Sequence, residues 1–248
     1  MIVFVGGVHR SGTTLVARAL AQHPDASGLT DTGVSEDEGQ HLQDVYATGE
    51  VHGGPGHFAL DAGAHLTEAD AAPDHAHRLR AAWDPYWDTT RSVLVEKSPP
   101  NLVRFRYLQA VFPDARFVAV VRHPVPVALA TFKMAAPGTS VHTVLRNWVV
   151  AHETFKGDEL HLDRVRIVRY EDLVAQPSAV LAGLQEFLGL APHTPALDLR
   201  PETDAQYAQQ WRAATGRASI RRLLLARRYD ARVRALGFGY SLRPPHRL

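Results

Sequence analysis

The stretch Gly7-Val8-His9-Arg10-Ser11-Gly12-Thr13-Thr14 decides the fold of this chain. It follows the apolar run Ile2-Val3-Phe4-Val5, which we interpret as a buried strand, and it leads into residues 13–22, whose composition is helical. Glycines let the backbone close around an anion, and the unpaired N–H groups at the start of a helix favour negative charge. The sequence therefore predicts a phosphate-binding loop between the first strand and the first helix.

The spacing of this loop matches G-x-x-x-x-G-K-[ST], the pattern of ATP- and GTP-binding loops, except at the lysine. Thr13 occupies the lysine position, and Arg10 supplies the cation instead. Because that lysine serves the β- and γ-phosphates, its absence favours a ligand with a single 5′-phosphate. We expect Arg10, Thr13 and Thr14 to bind such a group, the arginine through its fork of N–H donors.

Short apolar runs alternate with helical stretches along the rest of the chain. The runs that we interpret as strands buried on both faces are residues 2–5, 93–95, 117–121 and 165–168. The predicted helices are residues 13–22, 100–111, 125–133, 141–155 and 219–236. This alternation predicts a three-layer α/β domain of P-loop type with a central parallel sheet, and we expect a single domain over residues 1–248. Residues 25–64 form a long irregular segment, which is typical of a functional loop.

Composition narrows the class of partner. Lys and Arg number 27 against 26 for Asp and Glu, so the formal net charge of +1 predicts neither a nucleic-acid nor a membrane partner. Cysteine is absent, which excludes disulfides and thiolate metal sites and is typical of a cytoplasmic protein. The apolar run at the start is too short for a signal peptide or a membrane span. The 14 histidines lack a metal-binding spacing, so we expect no metal.

The motif His9-Arg10-Ser11-Gly12-Thr13-Thr14 resembles the 5′-phosphosulfate motif P-[KR]-S-G-T-T of sulfotransferases that use 3′-phosphoadenosine 5′-phosphosulfate (PAPS). The tyrosylprotein branch of that family is similar across residues 7–24 and 97–124, and around Tyr170-Glu171-Asp172-Leu173. The resemblance implies transfer of a sulfuryl group from PAPS to an alcohol or phenol, with adenosine 3′,5′-bisphosphate as product. It also implies that Gly7 and residues 9–14 bind the 5′-phosphosulfate.

The resemblance assigns further donor-binding roles. Arg122, at the end of a predicted strand, corresponds to the arginine that binds the 3′-phosphate, although a strand-end arginine also commonly caps a helix or pairs with a carboxylate. Ala130 occupies the position of the family's serine eight residues later, with Thr131 next to it. The hydroxyl that the family carries at this position is therefore missing, and Ala130 is a departure from the family motif.

Other positions of the family pattern fall near the ends of strands and at the C-terminal part of the chain. Lys97 corresponds to the lysine near the bridge between phosphate and sulfate, where an ammonium would stabilise the departing phosphate. Tyr170 corresponds to a tyrosine near the adenine in the family. Alternatively, Tyr170 is a half-buried side chain that only packs against its neighbours. Ala214-Thr215-Gly216-Arg217 resembles the loop that closes on the 3′-phosphate, which makes Arg217 a candidate ligand.

The group that removes the acceptor's proton has several candidates. Asp31 lies at the spacing of the glutamate in the tyrosylprotein branch, and Glu38 and His41 follow closely. We rank Glu38 and Asp31 first and His41 next. The alternative is that residues 35–38 begin a helix, where acidic side chains favour the helix dipole.

Two other functional classes stay open from the sequence. A nucleotide-dependent phosphoryl transferase shares the fold and the loop, and it would bind ATP with Mg²⁺. A non-catalytic protein that binds PAPS or adenosine 3′,5′-bisphosphate would never transfer the sulfuryl group. The acceptor class (small molecule, sugar, lipid or tyrosine peptide) and the oligomeric state also stay open.

Overall fold

The computed structural model describes residues 1–199, 202–213 and 216–243. Its centre is a parallel sheet of five strands within the described residues, in the order β2-β3-β1-β4-β5. The strands are β1 (Ile2–Gly7), β2 (Ala26–Gly28), β3 (Val93–Lys97), β4 (Arg116–Val121) and β5 (Val165–Arg169). Because β1 lies between β3 and β4, the loop that follows β1 lies between the carboxyl ends of its two neighbours. The predicted α/β fold with a central parallel sheet is confirmed.

Helices cover both faces of the sheet. They are α1 (Thr13–Ala21), α2 (His75–Trp83), α3 (Phe105–Val111), α4 (Pro124–Phe132), α5 (Val141–Asp158), α6 (Tyr170–Ala175), α7 (Pro177–Leu188), α8 (Glu202–Arg212) and α9 (Gly216–Ala235). One hydrophobic cluster joins the sheet to α1, α6 and α7, and another joins it to α2, α3, α4, α5 and α9. Within the described ranges, no helix combines the length and apolar character that a membrane crossing requires.

The alternation of side chains along β1 explains the two cores. Phe4 faces one layer, where its ring lies 5.9 Å from Trp83 and 6.0 Å from Phe117. Val3 and Val5 face the other layer with α1 and α7. Because successive strand residues point to opposite faces, a fully apolar strand requires cover on both sides. This is why a short run such as residues 2–5 is a reliable signal for a central parallel strand.

Several predicted elements differ in the structure. The strand β2 was not predicted, because its three residues carry no apolar pattern and it lies at the edge of the sheet. The prediction that β5 is buried on both faces is wrong, since Arg166 is exposed and its neighbours are half-buried at the opposite edge. The predicted helix over residues 100–111 is a 3₁₀ turn, Pro99–Val103, followed by α3, because Arg104 has a non-helical φ of −132°.

Residues 29–74, in the described structure, form loops and 3₁₀ turns with neither a strand nor an α-helix. The side chain of Gln40 anchors this segment from within: it accepts a hydrogen bond from the backbone N–H of Gly49 at 2.8 Å and donates one to Glu38 at 2.6 Å. Gln40 is fully buried. The segment is therefore packed against the sheet despite its irregular backbone, and it covers the carboxyl end of β3.

Candidate functional site

The loop between β1 and α1 has the backbone shape of an anion cradle. Arg10 and Gly12 have left-handed φ values of 67° and 102°. A Cβ at Gly7 would lie 2.5 Å from the hydroxyl of Ser11, so only glycine fits there. Gly12 caps α1 without any side-chain hydrogen bond, which leaves the N–H groups of the first turn directed at the loop.

The loop side chains divide into exposed and buried groups. Arg10 is exposed and Thr14 is half-buried, whereas Ser11 and Thr13 are buried. The exposed guanidinium of Arg10 is therefore the cation that the loop offers to solvent. Among the described residues, the buried hydroxyl of Ser11 has no hydrogen-bond partner.

Arg122 and Tyr170 come together against this loop from the ends of β4 and β5. Arg122 donates to the backbone carbonyl of Arg10 at 2.8 Å, and its guanidinium lies 4.1 Å from the centre of the Tyr170 ring. A Cβ at Gly12 would lie 2.7 Å from the same ring. The two side chains are buried and form one wall of the loop, so Gly12 is required for their close approach.

Thr131 has a specific contact, next to Ala130. Its hydroxyl donates to the backbone carbonyl of His9 at 3.1 Å, and the residue is buried. The structure thus uses the hydroxyl of α4 to hold the loop. Sequence reasoning identified Thr131 only as the neighbour of Ala130, since a contact between residues 122 positions apart has no local signal.

A buried ion pair lies at the carboxyl end of β3, adjacent to β1. The Nζ atom of Lys97 is 3.0 Å from Oε1 of Glu38, and the side chains are only 6% and 10% exposed. Gln40 donates to Oε2 of Glu38 at 2.6 Å, and Nε2 of His41 lies 3.7 Å from the same oxygen. Three of the predicted catalytic residues, Glu38, His41 and Lys97, are therefore in one group.

Asp31 is not part of this group. It is exposed, with a left-handed φ of 55°, and within the described residues it shares no hydrogen bond or ion pair with Glu38 or Lys97. The alternative of a helix start at residues 35–38 is wrong, because Ser35–Asp37 is a single 3₁₀ turn. Glu36 and Asp37 have left-handed φ values of 54° and 50° there, a conformation that only specific contacts maintain in such residues.

The carboxylate of Glu96 holds the position of Glu38. It accepts hydrogen bonds from the backbone of Gly39 at 3.0 Å, from Ser98 at 2.6 Å and from Asn101 at 2.5 Å. Complete burial raises the pKa of Glu96 to about 7. Sequence reasoning gave Glu96 no role, although an acid at the end of the apolar run of β3 was an available signal.

The imidazole of His9 takes the position of the proline in the motif. Burial, and then the nearby charges of Lys97 and His41, lower the pKa of His9 to about 4. The ring also packs edge-on against Phe58, with centroids 5.8 Å apart. His9 is therefore neutral at neutral pH, and it adds no positive charge to the loop.

Two further predictions concern Arg217 and metal binding. The side chain of Arg217 and residues 214–215 lie outside the described residues. Within the described part of the chain, no three His, Asp or Glu side chains are grouped so as to hold a metal ion.

A parallel sheet with a glycine-framed loop at the end of its central strand defines a P-loop-type α/β protein, and the cation and acid beside the loop define a candidate site for group transfer. The chain belongs to the sulfotransferase family, whose sequence profile matches residues 3–195.

The similar proteins include sulfotransferases from animals. The chain is 26% identical over 210 residues to protein-tyrosine sulfotransferase 2 from Gallus gallus, a match that covers 77% of this chain and 51% of the relative. It is 27% identical over 212 residues to protein-tyrosine sulfotransferase 1 from Danio rerio, covering 76% and 53%. The chain thus spans about half the length of these relatives.

Solved structures share the fold. A sulfotransferase from Alicyclobacillus acidocaldarius superposes with a TM-score of 0.54 at 16% identity, over 94% of each chain. The sulfotransferase domain from the Synechococcus PCC 7002 olefin synthase has a TM-score of 0.51 at 20% identity, over 92% of this chain and 94% of that domain. These similarities show that the chain shares the fold of these structures.

Proposed function

We propose that the chain transfers a sulfuryl group from PAPS to an acceptor hydroxyl. The observation that carries this proposal is the buried pair of Lys97 and Glu38 beside a loop whose cation is Arg10. Sulfuryl transfer requires a proton acceptor for the hydroxyl and a cation for the departing phosphate. The pair places one group of each kind at the end of β3, next to the loop.

The donor-binding residues are those that meet at the loop. The first-turn N–H groups of α1, with Arg10, Thr13 and Thr14, hold the 5′-phosphosulfate, and the resemblance supports the same role for Gly7, His9, Ser11 and Gly12. Arg122 and Tyr170 serve the 3′-phosphate and the adenine, since they flank the loop on the side of β4 and β5. Thr131 acts on the donor only through the loop, by holding the carbonyl of His9.

The chemistry divides between the members of the ion pair. PAPS, when bound, supplies the sulfuryl group on an anhydride whose S–O bond breaks as the acceptor oxygen bonds to sulfur. Glu38 takes the proton of the acceptor hydroxyl, and Lys97 and Arg10 stabilise the electron pair that stays on the departing phosphate. Lys97 must turn from Glu38 toward the phosphate for both tasks to proceed. His41 and Asp31 rank behind Glu38 as the base, and Asp31 lies outside the group.

Calorimetry with adenosine 3′,5′-bisphosphate and with ATP plus Mg²⁺ tests the choice of nucleotide. We expect binding of the bisphosphate alone, and its loss in Arg10→Ala. The matched control is Arg164→Ala, which removes an arginine next to the amino end of β5, whereas the loop lies at the carboxyl ends of the parallel strands. Binding of ATP with Mg²⁺ and no binding of the bisphosphate would instead favour a phosphoryl transferase.

Transfer of the labelled sulfuryl group tests catalysis. Glu38→Gln is expected to retain bisphosphate binding and to lose turnover, because the amide cannot accept the proton. Full turnover in this variant would move the role of base to His41 or Asp31. Bisphosphate binding without transfer to any alcohol or phenol would favour a non-catalytic binding protein.

A further inference from the structure

A cavity of about 340 Å³ lies between α1 and the segment that follows β2. Its lining includes Thr14 and Lys97, so it opens directly onto the proposed site of transfer. Part of the lining is small or apolar and part is polar and uncharged; the first group is Ala17, Ala21, Gly28, Leu29 and Val95, and the second includes Gln22 and Thr30. Cavities of several hundred Å³ with apolar walls and a few polar groups are typical of small-molecule sites. The volume fits one compact molecule next to the pair of Lys97 and Glu38.

The charged side chains that line the cavity are almost all paired. Arg18 lies 3.5 Å from Glu36 at the exposed mouth, and both side chains are more than half exposed. Lys97 is paired with Glu38, as described above. Each cation of the lining is therefore matched by a carboxylate.

Asp37 is the exception in the described lining. Its Oδ1 atom accepts two hydrogen bonds from Thr32, at 3.2 Å from the backbone and 2.6 Å from the hydroxyl. No donor among the described residues is hydrogen-bonded to Oδ2. The carboxylate is half-buried, so its charge is only partly screened by water. The bonds from Thr32 also stabilise its left-handed backbone, with a φ of 50°. The cavity thus presents one fixed negative charge without a cationic partner.

We propose that this cavity binds the acceptor, and that Asp37 selects acceptors that carry an ammonium group at the end opposite the reacting hydroxyl. The proposal rests on sulfuryl transfer as the function, and it specifies the class of acceptor: a small hydroxylated amine. A carboxylate in the same place would face the unpaired Asp37, and it would be rejected by like charge. Charge-assisted hydrogen bonds of this kind correspond to about tenfold to hundredfold in affinity.

Acceptors of similar size whose far ends differ in charge test the proposal. Tyramine, 4-ethylphenol and 4-hydroxyphenylacetate share a phenol and differ in an ammonium, a neutral or a carboxylate end, and benzyl alcohols with the same three ends provide a second scaffold. Each compound is measured as an acceptor with PAPS and as a ligand of the protein saturated with adenosine 3′,5′-bisphosphate. We expect the amine to exceed the neutral compound by about tenfold or more in affinity or kcat/KM, with the acid weakest.

Variants of Asp37 and of a control residue distinguish a role in acceptor selection from a role in protein stability. Asp37→Asn retains the oxygen that accepts from Thr32, so its melting temperature is expected to stay unchanged while the preference for the amine is lost and the neutral compound is unaffected. Asp114→Asn is the matched control, since its side chain is fully exposed at a distant turn. A preference for the acid, equal use of all three compounds, or a preference that persists in Asp37→Asn would overturn the proposal. Failure to bind adenosine 3′,5′-bisphosphate would instead overturn the proposed function, and this inference with it.

Discussion

Replacing Glu38 by alanine removes the carboxylate that lies 3.0 Å from the buried ammonium of Lys97. Both side chains are at most one-tenth exposed, so water replaces the lost carboxylate only in part. Breaking a buried pair by removing one partner costs about 3–5 kcal/mol. For a chain of this length each kcal/mol lowers the melting temperature by about 2–4 °C, which predicts a fall of about 6–20 °C.

A double-mutant cycle distinguishes this cause from a general loss of packing. Lys97→Met alone leaves the Glu38 carboxylate unpaired, but the variant with both Glu38→Ala and Lys97→Met buries no lone charge. The double variant is therefore expected to be more stable than the sum of the single losses predicts, as measured by urea unfolding. Asp44→Ala is the control: it breaks the pair with Arg78 in which Asp44 is 87% exposed, and exposed pairs contribute about 0–1 kcal/mol.

A loss of stability in Glu38→Ala no greater than that in Asp44→Ala, or simple addition of the two single losses, would refute the buried ion pair as the cause. Adenosine 3′,5′-bisphosphate supplies a second readout. Its 5′-phosphate would become the counter-ion of Lys97, so saturating nucleotide is expected to raise the melting temperature of Glu38→Ala more than that of the unmodified protein.

Three further predictions follow from the loop and the core. Gly12→Ala is expected to weaken adenosine 3′,5′-bisphosphate binding at least about tenfold in calorimetry. The reason is that a Cβ at this position, where φ is 102°, would lie 2.7 Å from the Tyr170 ring. Unchanged affinity would contradict the packing of that ring on the loop. Thr131→Val keeps the side-chain shape but removes the donor to the His9 carbonyl. Urea unfolding should therefore show that the free energy of unfolding falls by about 1–2 kcal/mol. No fall would mean that the hydrogen bond contributes nothing to stability. Burial lowers the pKa of His152 from 6.5 to about 4, so between these pH values the unfolded chain binds a proton that the folded chain does not, and stability falls as pH falls. His152→Phe is expected to remove up to about 3 kcal/mol of that acid-dependent loss between pH 7 and 4, and an unchanged pH profile would show that His152 does not cause it.

The parts of the fold that the sequence predicted are those with a local signal. The strands at residues 2–5 and 117–121 are apolar runs, and a strand covered on both faces requires such a run. The strand β2 has three residues and escaped prediction, because its place in the sheet depends on pairing with β3 at Ser27 and Leu94. The same limit applies to β5, whose edge position is decided by its neighbours.

The candidate site divides in the same way. The loop residues Arg10, Gly12 and Thr13 are contiguous, so their spacing alone predicted an anion cradle. The sequence could not choose between Glu38 and Asp31, since both lie a short distance after the loop. The structure brings Glu38, and not Asp31, into contact with Lys97 across 59 residues, and this contact depends on how residues 29–74 pack against β3.

By itself, the sequence determined the parallel sheet, the position of the glycine-framed loop, and the presence of Thr13 in place of the usual lysine with Arg10 as the cation, because periodicity and glycine spacing act over a few residues. Only the tertiary structure decided that Glu38 meets Lys97, that Thr131 holds the loop, and that Asp37 faces a cavity without a cationic partner. The physical reason is that burial and charge pairing are properties of groups brought together from distant parts of the chain, and no local pattern encodes them.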